Sequence, residues 1–317
     1  LPGGVSKPLS EEKREEFLEQ TKNAVDFTLE AIDIFNKTVL ENDKYVELVT
    51  GDIYKHNTHY MGLVDDQNRV NFYDGKVRVV DPEGKELAKF SGLEYLDYVA
   101  EHVEPWSYMK FPYLKQVGWN GFTDGKHSGV MRVAPLARLN VSESMPTPKA
   151  QKEFERMYDV LGKKPAHNTL AFHWARLIEA VYAAEKMVQL LEDESITADD
   201  IRHIPDETPE EGAGIVEAAR GTLIHHYKTD DKGIITDANL IVATVFNSAA
   251  LSLSIEKAAK KLIRDGEVND GLLNMVEMAF RAYDPCLACA THSLPGETPL
   301  IINIHKDKKI IKKIRRD

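Results

Sequence analysis

Asp284-Pro285-Cys286-Leu287-Ala288-Cys289-Ala290-Thr291-His292 is the stretch that decides how this chain of 317 residues is understood. Two thiols three residues apart can converge on one ion, and an imidazole three further on can reach the same neighbourhood. Thiolates are soft ligands, suited to zinc, copper(I), iron–sulfur clusters or a nickel–iron centre. Cys286 and Cys289 are the only cysteines in the chain, so four readings stand. They can be small buried hydrophobes. They can be a redox pair, although such pairs usually open a helix after a strand and this one follows a predicted helix. A structural zinc site would need His203, His225, His226 or His305 to complete it, and the fourth reading is a catalytic metal centre. The tandem His225-His226 puts one ring on each face of a strand, so both cannot point at one ion. His173, beside Arg176 on a helix flank, reads as a packed or interface histidine.

Composition narrows the class. Forty Lys and Arg against 51 Asp and Glu leave a net charge of −11, which argues against a general nucleic-acid binder, because phosphate binding needs a basic face. The charge is unevenly spread. Residues 293–317 hold seven Lys and Arg against three acids, so this end is net +4 and residues 1–292 carry −15. The longest apolar candidate, 239–253, is broken by Asn247, Ser248 and Ser252, which gives no membrane span. Two cysteines exclude a disulfide-stapled secreted scaffold and favour a cytoplasmic location. The opening Leu-Pro-Gly-Gly, with no Met, carries the expectation of a start part-way through a longer polypeptide.

Ser10 before Glu11 and Glu12 is a capped helix start, and Leu18, Val25, Ile32 and Val39 continue one apolar stripe. Val70–Tyr73 and Val77–Val80 flank Asp74-Gly75 and predict a hairpin. Residues 105–148, rich in aromatics, Pro and Gly, predict an irregular buried connection. Leu170, Trp174, Leu177, Val181, Ala184, Val188 and Leu191 predict a long core helix. The acidic 193–214 stretch predicts a surface connection, 222–227 and 234–244 a second hairpin, and 247–264 and 269–282 two helices. The isoleucines near the end suit a solvated terminus or an added edge strand. The fold class expected is an α-rich α+β domain, with long packed core helices and small peripheral β hairpins.

The nine-residue string resembles the C-terminal metal-binding signature of nickel–iron hydrogenase large subunits, Asp-Pro-Cys-x-x-Cys-x-x-His. Other stretches resemble motifs of the same family: 2–8, 107–113, 132–138, 167–176 and 217–221. The likeness covers essentially the whole chain. Its flavour is the cytoplasmic archaeal branch, with its coenzyme F-420-reducing and its non-reducing, viologen-active enzymes, and so a link to methanogenesis.

The resemblance implies roles. Cys286 is then a terminal thiolate on nickel and the first proton acceptor, Cys289 bridges nickel and iron, and the iron carries cyanide and carbon monoxide. Arg220 overhangs the metals, where a permanently charged fork of donors can hold cyanide and polarise hydrogen. Thr244 donates to a cyanide, although Ala243 stands where the family often has Pro. His292 ligates magnesium, and the chain is cut just after it on maturation. The 293–317 extension would then mark an unprocessed precursor and act as a gate, holding the cysteines from their final place until nickel is inserted. Residues 1–292 would be a large-subunit body lacking the early Arg-x-Cys-x-x-Cys segment, since the family uses four thiolates and this chain has two. The function implied is H2 = 2 H+ + 2 e−. The partners implied are the N-terminal part of the large subunit, an iron–sulfur small subunit, a maturation endopeptidase, and a heterodisulfide reductase or coenzyme F-420 subunit. The alternative class is a non-catalytic assembly or interaction protein with a zinc-filled or empty Cys-x-x-Cys-x-x-His site.

Overall fold

The computed structural model describes residues 3–291, 300–306 and 308–316. In chain order the elements are α1 (Glu11–Phe35), α2 (Asp43–Thr50), β1 (His59–Val64), β2 (Lys76–Val80), β3 (Glu86–Phe90), α3 (Tyr95–Tyr98), β4 (Val99–Val103), β5 (Lys110–Leu114) and β6 (Met131–Arg132). There follow α4 (Pro135–Val141), α5 (Pro148–Leu161), α6 (Ala171–Glu192), β7 (Glu211–Ala218), β8 (Gly221–Thr229) and β9 (Ile235–Ile241). The remainder are α7 (Ala243–Phe246), α8 (Ser248–Leu262), α9 (Asp270–Arg281), α10 (Leu287–Thr291), β10 (Leu300–Lys306) and β11 (Lys309–Arg316). This is the expected α-rich α+β class. No helix among the described residues is long and apolar enough to cross a membrane.

Two cores organise these elements. The larger gathers α1, α4, α5, α6, α8 and α9 around Phe172, Trp174, Ile178 and Val181, and Ser10 caps α1 by accepting from the Lys13 N–H at 3.3 Å. The second lies on the sheet β3-β2-β1-β6 and takes in Val245, Phe246 and Ala290, so the short helix carrying Cys289 rests on it. A separate three-stranded antiparallel sheet, β7-β8-β9, ends beside the same helix.

The hairpin expected over 70–80 does not form as read. β2 pairs with β1, Tyr60 opposite Val80 and Val64 opposite Lys76, while 70–73 contributes only an isolated bridge to Val64. Asp65 supplies the reason: its carboxylate accepts from the Gln67 and Arg69 N–H groups and from Arg69 Nε, which turns the chain early. β1 went unseen because all its residues are buried, and a strand covered on both faces has no alternation to detect. The 105–148 connection is irregular for much of its length and mostly buried after 128, but it also holds β5, β6 and α4. At the far end β10 and β11 pair with each other rather than extending a sheet of the body, and Lys312 Nζ donates to Val268 O at 3.3 Å.

Between the cores sits a polar knot. Arg132 is fully buried and donates to Thr58 Oγ1 at 2.7 Å, His56 O at 2.7 Å and the Tyr60 hydroxyl at 2.6 Å. His167 Nδ1 lies 2.7 Å from the same hydroxyl, and Nε2 lies 3.0 Å from Pro82 O. Burial, with the Arg132 charge beside it, holds His167 down at about 3 and His56 well below the ordinary imidazole value. Both rings are therefore neutral in the fold but titrate near 6.5 once unfolded. Between those values the unfolded chain binds protons that the fold refuses, so stability is present above about pH 6.5 and is lost as pH falls. Each ring contributes a slope of up to about 1.4 kcal/mol per pH unit. The urea midpoint is expected to be lower at pH 5 than at pH 7, and less so in His167→Gln; equal wild-type midpoints would contradict the assignment.

Candidate metal centre

α9 ends at Arg281, and the Asp284 N–H donates back to Arg281 O at 2.9 Å. Asp284 takes a left-handed φ of 52°, a conformation that a short polar residue tolerates, and this redirects the chain into Pro285-Cys286. Tyr283, fully buried, anchors the bend: its hydroxyl meets Ser254 Oγ at 2.9 Å and its ring packs 4.8 Å from Phe172. Arg176 Nη2 donates to Ala282 O at 2.9 Å.

Cys286 precedes α10, its carbonyl accepting from the Ala290 N–H at 3.1 Å. Its own N–H donates to Thr244 Oγ1 at 3.2 Å. Thr244 is buried in the first turn of α7, where the sequence reading had a strand end, and its hydroxyl keeps a hydrogen for another acceptor. Cys286 and Cys289 are joined as a disulfide with Cα atoms 5.4 Å apart. The bridge closes only a three-residue step and staples no distant parts of the fold. Cys286 is half-buried and Cys289 exposed.

Arg220 reaches the same segment from the β7–β8 turn. Its Nε donates to Asp284 O at 2.6 Å and lies 3.3 Å from Asp284 Oδ2, and Nη2 lies 3.4 Å from Oδ1. Gly221 lets the turn sit this close: its φ is 129°, and a Cβ there would overlap the Val133 side chain. Four of the residues singled out from sequence, Cys286, Cys289, Arg220 and Thr244, are thus brought to one edge. His292 lies outside the described residues. Asp284, the partner of Arg220, went unassigned in sequence although it stands in the quoted string, because the two are 64 positions apart.

Two adjacent sulfurs suit a soft metal, with the Thr244 hydroxyl on the Cys286 N–H and the Arg220 guanidinium on Asp284, two residues earlier. Among the described residues no three His, Cys, Asp or Glu group to hold an ion. A metal also requires the pair in its reduced form, since the thiolate is the ligand. Among the described residues, none of the histidines that a zinc site would need is grouped with the pair. His226 bonds Tyr95 and Glu211, at 2.9 and 2.8 Å, and His225 bonds Tyr227 at 3.0 Å. The segment carrying His203 pairs with Gly3, and His305 is in the terminal hairpin. His173 is exposed, 3.5 Å from Arg176 Nη1.

Residues 9–292 match the family described as nickel-dependent hydrogenase. The chain is 48% identical, over 99% of its length, to an iron-sulfur subunit of the F420-non-reducing hydrogenase of Archaeoglobus profundus, and covers 65% of that protein. It is 37% identical, over 96% of its length, to the beta chain of the NAD-reducing hydrogenase HoxS of Cupriavidus necator, covering 62% of it. The fold superposes on the crystal structure of an NAD+-reducing [NiFe]-hydrogenase with a TM-score of 0.83 at 34% identity, over 92% of this chain and 62% of that one. A [NiFeSe]-hydrogenase of Dm. baculatum, 20% identical with a TM-score of 0.60, shares the fold over 92% of this chain and 62% of its own. The chain thus spans somewhat under two thirds of the length of these relatives.

Proposed function

The chain belongs to the nickel-dependent hydrogenase family, and on that footing we propose that it works as part of a hydrogenase large subunit carrying out H2 = 2 H+ + 2 e−. The observation that carries this reading is the convergence of Cys286, Cys289, Arg220 and Thr244 on one edge of the fold. A nickel–iron pair, when bound, supplies a Lewis-acidic centre for heterolytic cleavage of H2. In this reading Cys286 and Cys289 hold that pair together with two further thiolates from outside the chain, and Cys286 Sγ takes up the proton. Arg220, fixed on Asp284, directs its remaining N–H groups toward the site, and the Thr244 hydroxyl offers its free hydrogen to a cyanide. Cyanide and carbon monoxide on the iron, and magnesium at His292, are parts of the same proposal.

Electrons leave through an iron–sulfur small subunit, because Cys286 and Cys289 cannot hold a cluster as well as the metals. The proposed location is the cytoplasm. Residues 293–317 are proposed to be removed by a maturation endopeptidase. Two observations support this: the family match stops at 292, and β10 and β11 pair with each other. An intact mass corresponding to an end at His292 after maturation is expected; an unchanged mass in an active enzyme would sink that part.

The test of the function is H2-dependent viologen reduction by the chain matured with nickel in the presence of its small subunit plus the rest of the large one. An assembly that contains nickel yet reduces no viologen under H2 would overturn it. Stoichiometric zinc on the chain, lost in Cys289→Ser, would favour an interaction domain instead.

A further inference from the structure

We infer that Arg138, in α4, is the positioning residue for Arg220, and that it acts by gripping the turn from which Arg220 projects. The inference rests on the proposed function only for what Arg220 does at the metal edge. Arg138 is nearly fully buried and has five N–H donors, and each has an acceptor. Nε and Nη2 form a fork on Glu179 of α6, both at 2.6 Å. Nη1 reaches Glu217 Oε2 at 2.6 Å and Ala218 O at 2.9 Å, and Nη2 reaches Ala219 O at 3.2 Å. Ala218 and Ala219 are the two residues immediately before Arg220. One guanidinium therefore ties the turn to α6, a core helix.

The other side of the turn is tied through Glu217. Its Oε1 accepts from the Leu63 N–H at 3.0 Å and the Thr222 hydroxyl at 2.8 Å, which links β7 and β8 to the buried strand β1. Both carboxylates are met by donors alone: Glu179 by two N–H groups of Arg138, and Glu217 by Arg138, the Leu63 N–H and the Thr222 hydroxyl. A half-open cleft of about 350 Å³ lies against one side of the turn, bounded by Phe72, Arg138, Arg176, Ala218, Ala219 and Asp284, so little side-chain packing supports the backbone there. On that side hydrogen bonds set the position of the backbone. Lysine, a point charge with three donors, cannot fork on Glu179 and hold two carbonyls together.

The test needs no metal, so its failure is distinct from failure of the proposed function. The Arg220 Nε–H, bonded to Asp284 O, gives a nitrogen–proton signal assigned by its loss in Arg220→Lys. In Arg138→Lys its exchange with water is expected to quicken about tenfold or more. The Arg69 Nε–H, bonded to Asp65 at 2.7 Å, should hold its rate. Glu179→Gln weakens the tie to α6 but leaves the bonds to Ala218 O and Ala219 O, and should quicken Arg220 much less than Arg138→Lys does. Should Arg138→Lys fail to fold, Glu217→Gln keeps the shape and weakens the anchor, and should also quicken Arg220. Unchanged Arg220 exchange in whichever of Arg138→Lys and Glu217→Gln folds would overturn the inference. So would equal quickening by Glu179→Gln, which would mark a generally loosened core.

Discussion

Cys289→Ser is expected to remove nickel from the matured protein, with a loss of affinity exceeding the 10–100-fold (about 1.4–2.7 kcal/mol) typical of changes to groups that merely support a metal ligand. A serine hydroxyl stays protonated near neutral pH and is a hard donor where a soft thiolate is needed. Cys286→Ser should do the same. The fold should not suffer: Cys289 is exposed, and under reductant neither wild type nor variant has the bridge, so unfolding free energies from urea titration should agree within about 0.5 kcal/mol. Nickel per chain, measured after gel filtration, decides the matter. Wild-type nickel in both serine variants would show that the ligands lie elsewhere.

Arg138→Met should be the most damaging substitution for the fold. Methionine fills the space but strands Glu179 and Glu217, whose side chains are 8% and 0% exposed, without their cation. Breaking one member out of a buried ion cluster costs about 3–5 kcal/mol, a large share of the 5–15 kcal/mol that usually holds a domain together. Glu179 and Glu217 outweigh the burial that would otherwise lower Arg138, so its guanidinium is held charged. Adding Glu179→Gln and Glu217→Gln to Arg138→Met should recover part of the loss, because no carboxylate is then left unpaired. A urea denaturation difference below about 1 kcal/mol for Arg138→Met would show that the cluster does not brace the fold.

Local spacing was the most legible information in the chain. In α6, apolar positions at intervals of three and four bury Trp174, Val181 and Ala184 as expected, and the Ser10 cap of α1 and the bounds of α8 and α9 agree within a few residues. The thiol pair and its separation were legible for the same reason, since two side chains within one helical turn meet wherever the helix sits. β1 was hidden: it has no polar face, and Gly62 packs directly beneath Arg138, where an added Cβ would lie 3.0 Å from its side chain.

Charges behaved differently. Arg132, Arg138 and Arg220 look alike in sequence, yet one is buried among neutral acceptors, one is clamped between two carboxylates, and one is half-exposed on Asp284. The amino-acid order settled the chemistry of the sulfur donors, their spacing and the helices that form the larger core, because all of these depend on neighbours within a turn or two. The long-range folding of the chain settled which arginine reaches Asp284, beside the cysteines, and which one grips the turn that carries it. A charged side chain takes its character from the groups that replace its water, and here those groups arrive from segments 35 to 81 residues away.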